Sequence, residues 1–183
     1  MIFNYKFIEL PKLDIIQRRV WNDWLHMDID DDRFWPQDKA DWEHYTELVE
    51  AVETVMDWGK VWYVALVTVN PHSRLPIHTD GGENDRRNPY ALNIPIHNCD
   101  KTYTPFYRLL DPDYKPKPTT TFSKNDLYLD YPEDQVEEVD RMYLTQPAYF
   151  RHQMIHSVIN PTNQLRVALS VRFTEDISKC MNN

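Results

Sequence analysis

The stretch Arg166-Val167-Ala168-Leu169-Ser170-Val171-Arg172-Phe173 alternates with a period of two. Val167, Leu169, Val171 and Phe173 share one parity, and Arg166, Ala168, Ser170 and Arg172 share the other. Successive side chains of a strand point to opposite faces, so this is a strand with one apolar face and one face of small residues flanked by guanidinium groups. An arginine among small residues on an inward face is costly unless it meets an anion. Its planar fork suits a carboxylate, which it grips through two parallel hydrogen bonds.

Working outward, Asn160-Pro161-Thr162-Asn163 is a turn signal leading into that strand. Val61-Trp62-Tyr63-Val64-Ala65-Leu66-Val67-Thr68-Val69 is rich in β-branched and aromatic residues and reads as another strand. Further strands are expected over Tyr90–His97, Thr104–Leu110, Asp126–Asp130, Arg141–Leu144, Ala148–His152 and His156–Ile159. Short strands separated by Pro, Asn and Asp turns point to an all-β sandwich or barrel. The first third is helical in pattern. Leu13 to Leu25 carries Ile15, Ile16, Val20, Trp21 and Trp24 at helical spacing after Pro11. A second helix is expected from about Lys39 to Trp58, with Leu48, Val52, Val55 and Met56 on one face and Gly59 as its stop. The acidic stretch Asp28–Pro36 between them reads as a loop, with Trp35 the tryptophan best placed to line an opening.

The expected fold class is therefore mainly β with N-terminal helices, the helices packed on one face of a double-sheet jelly roll, a double-stranded β-helix. A single domain is expected over 1–183: a helical part over 1–59, the jelly-roll core over 60–174 and a tail over 175–183. Two loops, Gly81–Pro89 and Asp111–Ser123, read either as lids beside a site or as surface connections.

Twenty basic against 29 acidic residues leave a formal charge of −9, which opposes general binding to nucleic acid. The Arg86-Arg87 pair reads as a solvated charge pair. Cys99 and Cys180 are too few for a disulfide framework, and a reducing cytoplasm fits this usage. Met1-Ile2-Phe3-Asn4-Tyr5-Lys6 lacks the pattern of a signal peptide, and no apolar run has membrane-spanning length. No membrane association is expected.

The chemistry-bearing fragment is Leu75-Pro76-Ile77-His78-Thr79-Asp80. His78 and Asp80 are two apart, so a strand end aims both at one point while Thr79 points away. A distant third donor is expected from His156, ahead of the turn into the arginine strand. His152 competes, because His-x-x-x-His on a helix can bind zinc. However, Pro147 and the β-rich surroundings oppose a helix there, and no Glu follows His152. His97 shares parity with Asn93 and Pro95 and could approach the site or fill the barrel mouth. Arg172 shares parity with Arg166 and could replace it as the anion anchor, but an ordinary salt bridge with Glu175 or Asp176 is the preferred expectation. Two imidazoles and one carboxylate with open positions are the ligand set of non-haem Fe(II) oxygenases.

These residues resemble the Fe(II)/2-oxoglutarate-dependent dioxygenase superfamily, whose pattern is His-x-Asp/Glu, a distal His and an Arg about ten residues beyond it. Here that interval is 166 − 156 = 10, against 14 from His152. The run Asn93-Ile94-Pro95-Ile96 resembles the strand that lines the cosubstrate pocket in relatives, and His156-x-Val158-x-Asn160 with Arg166 resembles the aspartyl/asparaginyl β-hydroxylase branch. The resemblance implies a double-stranded β-helix, with His78, Asp80 and His156 holding Fe(II) and Arg166 and Asn93 binding 2-oxoglutarate. It implies dioxygen and a small-molecule or peptide substrate as partners, with succinate and CO2 as coproducts. One departure stands out. Many members carry Arg-x-Ser, and here the second position is Ala168, so the hydroxyl partner comes from elsewhere; Tyr103, Tyr107 and Tyr128 are the candidates. Two other readings remain. A cupin-type metalloenzyme without 2-oxoglutarate lacks support, since the usual His-x-His, nearby Glu and flanking glycines are missing. A non-catalytic jelly-roll module would make the His-x-Asp accidental.

Overall fold

The computed structural model describes residues 4–26, 35–80, 89–119, 128–175 and 177. The expected loop at 81–88 with Arg86 and Arg87, most of the acidic loop, residues 120–123 of the second loop and Cys180 in the tail lie outside these residues.

The chain opens with β1 (Tyr5–Phe7), α1 (Leu13–Trp24), β2 (Trp35–Asp38), α2 (Lys39–Trp42), α3 (Thr46–Glu53) and β3 (Val61–Val69). There follow β4 (Ser73–Arg74), β5 (His78–Thr79), β6 (Tyr90–His97), β7 (Thr104–Leu109), β8 (Lys117–Thr119) and β9 (Tyr128–Asp130). The last strands are β10 (Val136–Met142), β11 (Ala148–Arg151), β12 (Ile155–His156), β13 (Ile159–Asn160) and β14 (Arg166–Phe173).

Two six-stranded sheets face each other, in the orders β1-β11-β6-β14-β3-β2 and β10-β7-β12-β5-β9-β8. From β3 onward the chain passes back and forth between them: β3 first sheet, β5 second, β6 first, β7 and β10 second, β11 first, β12 second, β14 first. Every pairing is antiparallel, and the winding is that of a double-stranded β-helix. No helix among the described residues is long and apolar enough to cross a membrane.

β14 is the central strand. It pairs with β3 from Arg166↔Val69 to Phe173↔Val61 and with β6 on its other side. All eight of its residues are buried. Val167, Leu169, Val171 and Phe173 join Ile16 and Val20 of α1 and Leu48 and Val52 of α3 in the larger core, between the first sheet and the helices. Ala168 lies in the smaller core with Phe106, Met142, Ala148 and Phe150, between the two sheets. The alternation read from the sequence is thus the division between these two interiors.

Several local readings are corrected. The long second helix is broken into α2 and α3 at Tyr45, which has φ −84° and ψ 72°. Its hydroxyl donates to Asp23 of α1 at 2.6 Å, and its ring packs against Trp42 and beneath the Arg19 guanidinium. Those contacts outweigh a periodicity that would have carried the helix through. Nor does Gly59 terminate a helix: it sits in a short 3₁₀ turn, where its N–H donates to the Asp57 carboxylate at 2.8 Å. Second, the strand expected over Arg141–Leu144 starts earlier, as β10, because the acidic run beginning at Val136 pairs with β7. Third, the segment expected as one strand over His156–Ile159 is split. Ile155 and His156 pair with β7 and β5, whereas Ile159 and Asn160 pair with β4 in a separate two-stranded ribbon. Trp35 and Pro36, expected in a loop, form part of β2 at the edge of the first sheet.

Leu169 has no exposed surface and sits where sheet and helices meet. Leu169→Ala should cost about 2–5 kcal/mol of stability, measured as a shift in the urea unfolding midpoint at unchanged slope.

Candidate metal centre

β5 and β12 are neighbours in the second sheet, and His78 pairs directly with His156. Residues directly opposite in an antiparallel pair share a face. The two rings lie with centroids 4.4 Å apart. His78 Nδ1 is 2.7 Å from the Pro76 carbonyl and His156 Nδ1 is 2.8 Å from the Met154 carbonyl. A carbonyl only accepts, so each Nδ1 carries the proton and donates, which makes Nε2 the nitrogen that can ligate a cation. Asp80 follows immediately after β5, with Oδ1 3.1 Å from His78 Nε2. Its backbone N–H donates to the His152 carbonyl at 3.0 Å, which anchors the main chain just past the strand end. One ligand atom from each of His78, Asp80 and His156 lies within 4.8 Å of the others, the spacing of a metal site. Thr79, expected to point away, is on the other face but is itself buried.

The electrostatics suit a cation. Burial works to raise the Asp80 pKa, but the Arg172 charge and the two histidines outweigh it and hold the carboxyl well below the usual range. His156 is pushed down to about 3 by burial and by the neighbouring His78, so it is neutral. Burial also acts to lower His78, yet its hydrogen bond and attraction to Asp80 prevail and raise it. Both Nδ1–H groups are committed to carbonyls, so the further proton that Asp80 favours on His78 belongs on Nε2, the position at which a divalent ion would compete with it.

The His78–Asp80–His156 cluster opens onto a cleft between the sheets that encloses about 660 Å³, its open mouth included. His78, Asp80, His156, Asn93 and Arg166 all line it, as do Ala168, Ser170 and Arg172 of the same strand face. Arg166 is 3% exposed, and its Nη1 has no hydrogen-bond partner among the described residues. Burial pushes its pKa below the ordinary guanidinium value. Asn93 of β6, opposite Ser170, likewise presents a buried Oδ1 that no described residue satisfies. Arg166 is set by the turn before it. Asn160 is 1% exposed, and its amide donates to the carbonyls of Val69 and Gln164, while its Oδ1 accepts from the backbone N–H and hydroxyl of Thr162. The turn is thereby tied to the end of β3, beside Arg166.

Other sequence readings are redirected. His97 does not face the cleft: a register shift in the β6–β14 pairing puts it opposite Val167, on the helix side, stacked on Trp21 at 3.9 Å. The extra residue in β6 reverses the parity on which its approach to the site depended. His152 contributes its carbonyl, not a metal-binding ring atom, to the centre. Tyr103 and Tyr107 do not line the cleft. Tyr103 lies under the Arg141 guanidinium, 4.2 Å from its centroid. The Tyr128 and Trp35 side chains fall outside the description. The hydroxyls that do line the cleft are those of Thr68, Thr104 and Ser170.

The residue beside the cluster that sequence reasoning assigned elsewhere is Arg172. Its Nη2 donates to Asp80 Oδ2 at 2.5 Å and its Nε to Ser170 Oγ at 3.2 Å, while Glu175 pairs with Lys60. The signal was its shared parity with Arg166; proximity of Glu175 in the chain outweighed it.

No protein-family model matches the chain, and no curated protein matches it. Among solved structures the chain is similar to an oxalate decarboxylase from Bacillus subtilis studied for its Mn(II) centres, at 14% identity over 83% of this chain, with a TM-score of 0.37. A second oxalate decarboxylase structure, studied for proton-coupled electron transfer, gives the same figures. The chain covers 29% of the length of each. At this level of overlap neither fold nor activity transfers from one chain to the other, and the architecture rests on the strand order itself.

A divalent ion binding here competes with a proton on His78 Nε2, which the neighbouring Asp80 favours. Affinity for Mn(II) should therefore fall as pH drops through the raised His78 pKa, by about tenfold per pH unit below it, and level off above it. An electron paramagnetic resonance titration of free Mn(II) at several pH values reads this directly; a flat profile would contradict it.

Proposed function

We propose that the chain is an Fe(II)- and 2-oxoglutarate-dependent oxygenase that hydroxylates a C–H bond of a small molecule or a peptide side chain. The observation that carries this reading is a single cleft with two unmet demands. One is a three-donor cluster of His78, Asp80 and His156, and the other is the buried Arg166 guanidinium with an unpartnered Nη1. Two imidazoles and one carboxylate with positions left open match the donor set of non-haem iron oxygenases. A buried cation without an anion is costly, and a dicarboxylic cosubstrate reaching from the metal to Arg166 would relieve it.

The residues divide the work. His78, Asp80 and His156 would hold the iron, which when bound supplies the activation of dioxygen. Arg166 would fix the far carboxylate of 2-oxoglutarate, and the carboxamide of Asn93 would meet a polar atom of the same molecule. Ala168, where relatives often carry Ser, leaves room along the β14 face, and Thr68 and Thr104 offer hydroxyls in the same cleft. The overall reaction balances: substrate C–H, dioxygen and 2-oxoglutarate give the alcohol, succinate and CO2.

Anaerobic addition of Fe(II) and 2-oxoglutarate to the purified chain should produce a weak visible charge-transfer band, lost in His78→Ala and Asp80→Ala. Arg166→Ala should keep its iron but bind 2-oxoglutarate about a hundredfold more weakly, read from the same band, because a buried charge-assisted contact is removed. Activity on a substrate that survives Arg166→Ala unchanged would instead favour a metalloenzyme without 2-oxoglutarate. A folded protein that forms no complex with the keto acid would refute the proposal.

A further inference from the structure

The two oxygens of Asp80 have different neighbours. Oδ1 lies 3.1 Å from His78 Nε2, inside the cluster of donor atoms. Oδ2 lies 2.5 Å from Nη2 of Arg172. The guanidinium is itself fixed, because its Nε donates to Ser170 Oγ at 3.2 Å and its strand is buried throughout. The Asp80 main chain is held as well, by its hydrogen bond to the His152 carbonyl. The carboxylate thus has little freedom to rotate, and one of its oxygens is already committed.

We propose that Arg172 is a positioning residue for the metal centre: by holding Oδ2 it restricts Asp80 to a single donor oxygen, Oδ1. A carboxylate free of such a partner can offer both oxygens to one ion. The second oxygen would take up a position on the ion that must stay open for chemistry. Charge-assisted pairing with arginine is strong and geometrically demanding, which suits it to this role better than a neutral hydrogen bond. Ser170 sets the plane of the guanidinium from the same strand face, so β14 carries both the residue facing the cosubstrate end of the cleft and the one constraining the ligand at the metal end. This inference rests on the metal reading of His78, Asp80 and His156 and is independent of which cosubstrate the cleft takes.

The test is a crystal structure of the wild-type chain soaked in Mn(II), together with water-proton relaxation of Mn(II)-loaded variants. The expected structure has one Asp80 oxygen on the ion and the other still on Arg172. Arg172→Met should lose about a third of its relaxivity per bound ion, as three open positions become two. Arg172→Lys, which keeps a cation on Oδ2, should stay near the wild-type value. Two Asp80 oxygens on Mn(II) in the wild-type crystal would overturn the inference and leave the metal reading standing. So would a folded, Mn(II)-loaded Arg172→Met with wild-type relaxivity. A cluster that stays empty at saturating Mn(II) would remove the metal reading itself and the inference with it. Should Arg172→Met fail to fold, the wild-type crystal decides alone.

Discussion

The structure hangs on the burial of β14 between β3 and β6, with both faces covered. A strand covered on one face needs only one kind of alternate residue. This one must satisfy two interiors at once, an apolar one against the helices and a narrow one against the second sheet. Val167, Leu169, Val171 and Phe173 meet the first demand. The second sheet approaches the other face closely enough for Ala168 to join a core with Phe106 and Phe150, while Arg166 and Arg172 stand at either end of the row and line the cleft. A one-residue slip of β14 would exchange the two faces, placing guanidinium groups in the helix-side core. Fold and cleft are therefore set by the same register.

Arg166 and Arg172 show how much environment decides. They are the same residue on the same face of one strand, and both are buried. Arg172 meets a carboxylate of the chain and becomes part of the centre's internal wiring. Among the described residues Arg166 meets none, and its buried Nη1 is left without a partner. A protein that buries a cation without an anion carries a cost that a ligand can remove, so the unsatisfied arginine points to a ligand while the satisfied one points to architecture. The same logic applies to the histidines. His78 and His156 each donate Nδ1–H to a carbonyl of their own segment, which turns Nε2 inward, whereas His97 is stacked on Trp21 outside the cleft.

Much of this was legible in the chain. Period-two alternation over Arg166–Phe173 located the central strand, and the neighbouring strand over Tyr90–His97 was also expected within its observed bounds. The His-x-Asp spacing placed two donors at one strand end, and the ten-residue interval to Arg166 singled out His156. Parity put Arg166 and Arg172 on a common face, and the resemblance of Asn93-Ile94-Pro95-Ile96 to a pocket-lining strand singled out Asn93. Where parity misled, the cause was a local irregularity: the register shift in β6 turns His97 to the opposite side. Where periodicity misled, as in the helix broken at Tyr45, the cause was a contact with a distant residue, Asp23, that outweighed local propensity.

The sequence by itself determined which residues could lie on one face, since alternation is a property of the extended backbone and needs no knowledge of neighbours. It therefore determined the strand core and the chemical types of the donor set. Only the tertiary structure decided which of those residues meet. His78 and His156 are 78 positions apart in the chain and become direct neighbours because β5 and β12 pair. Asp80 and Arg172, 92 positions apart, become an ion pair because the two sheets close over one cleft. Pairing across such distances is governed by how whole sheets wind on each other. For that reason the partner of Arg172 was not readable from its neighbours Glu175 and Asp176.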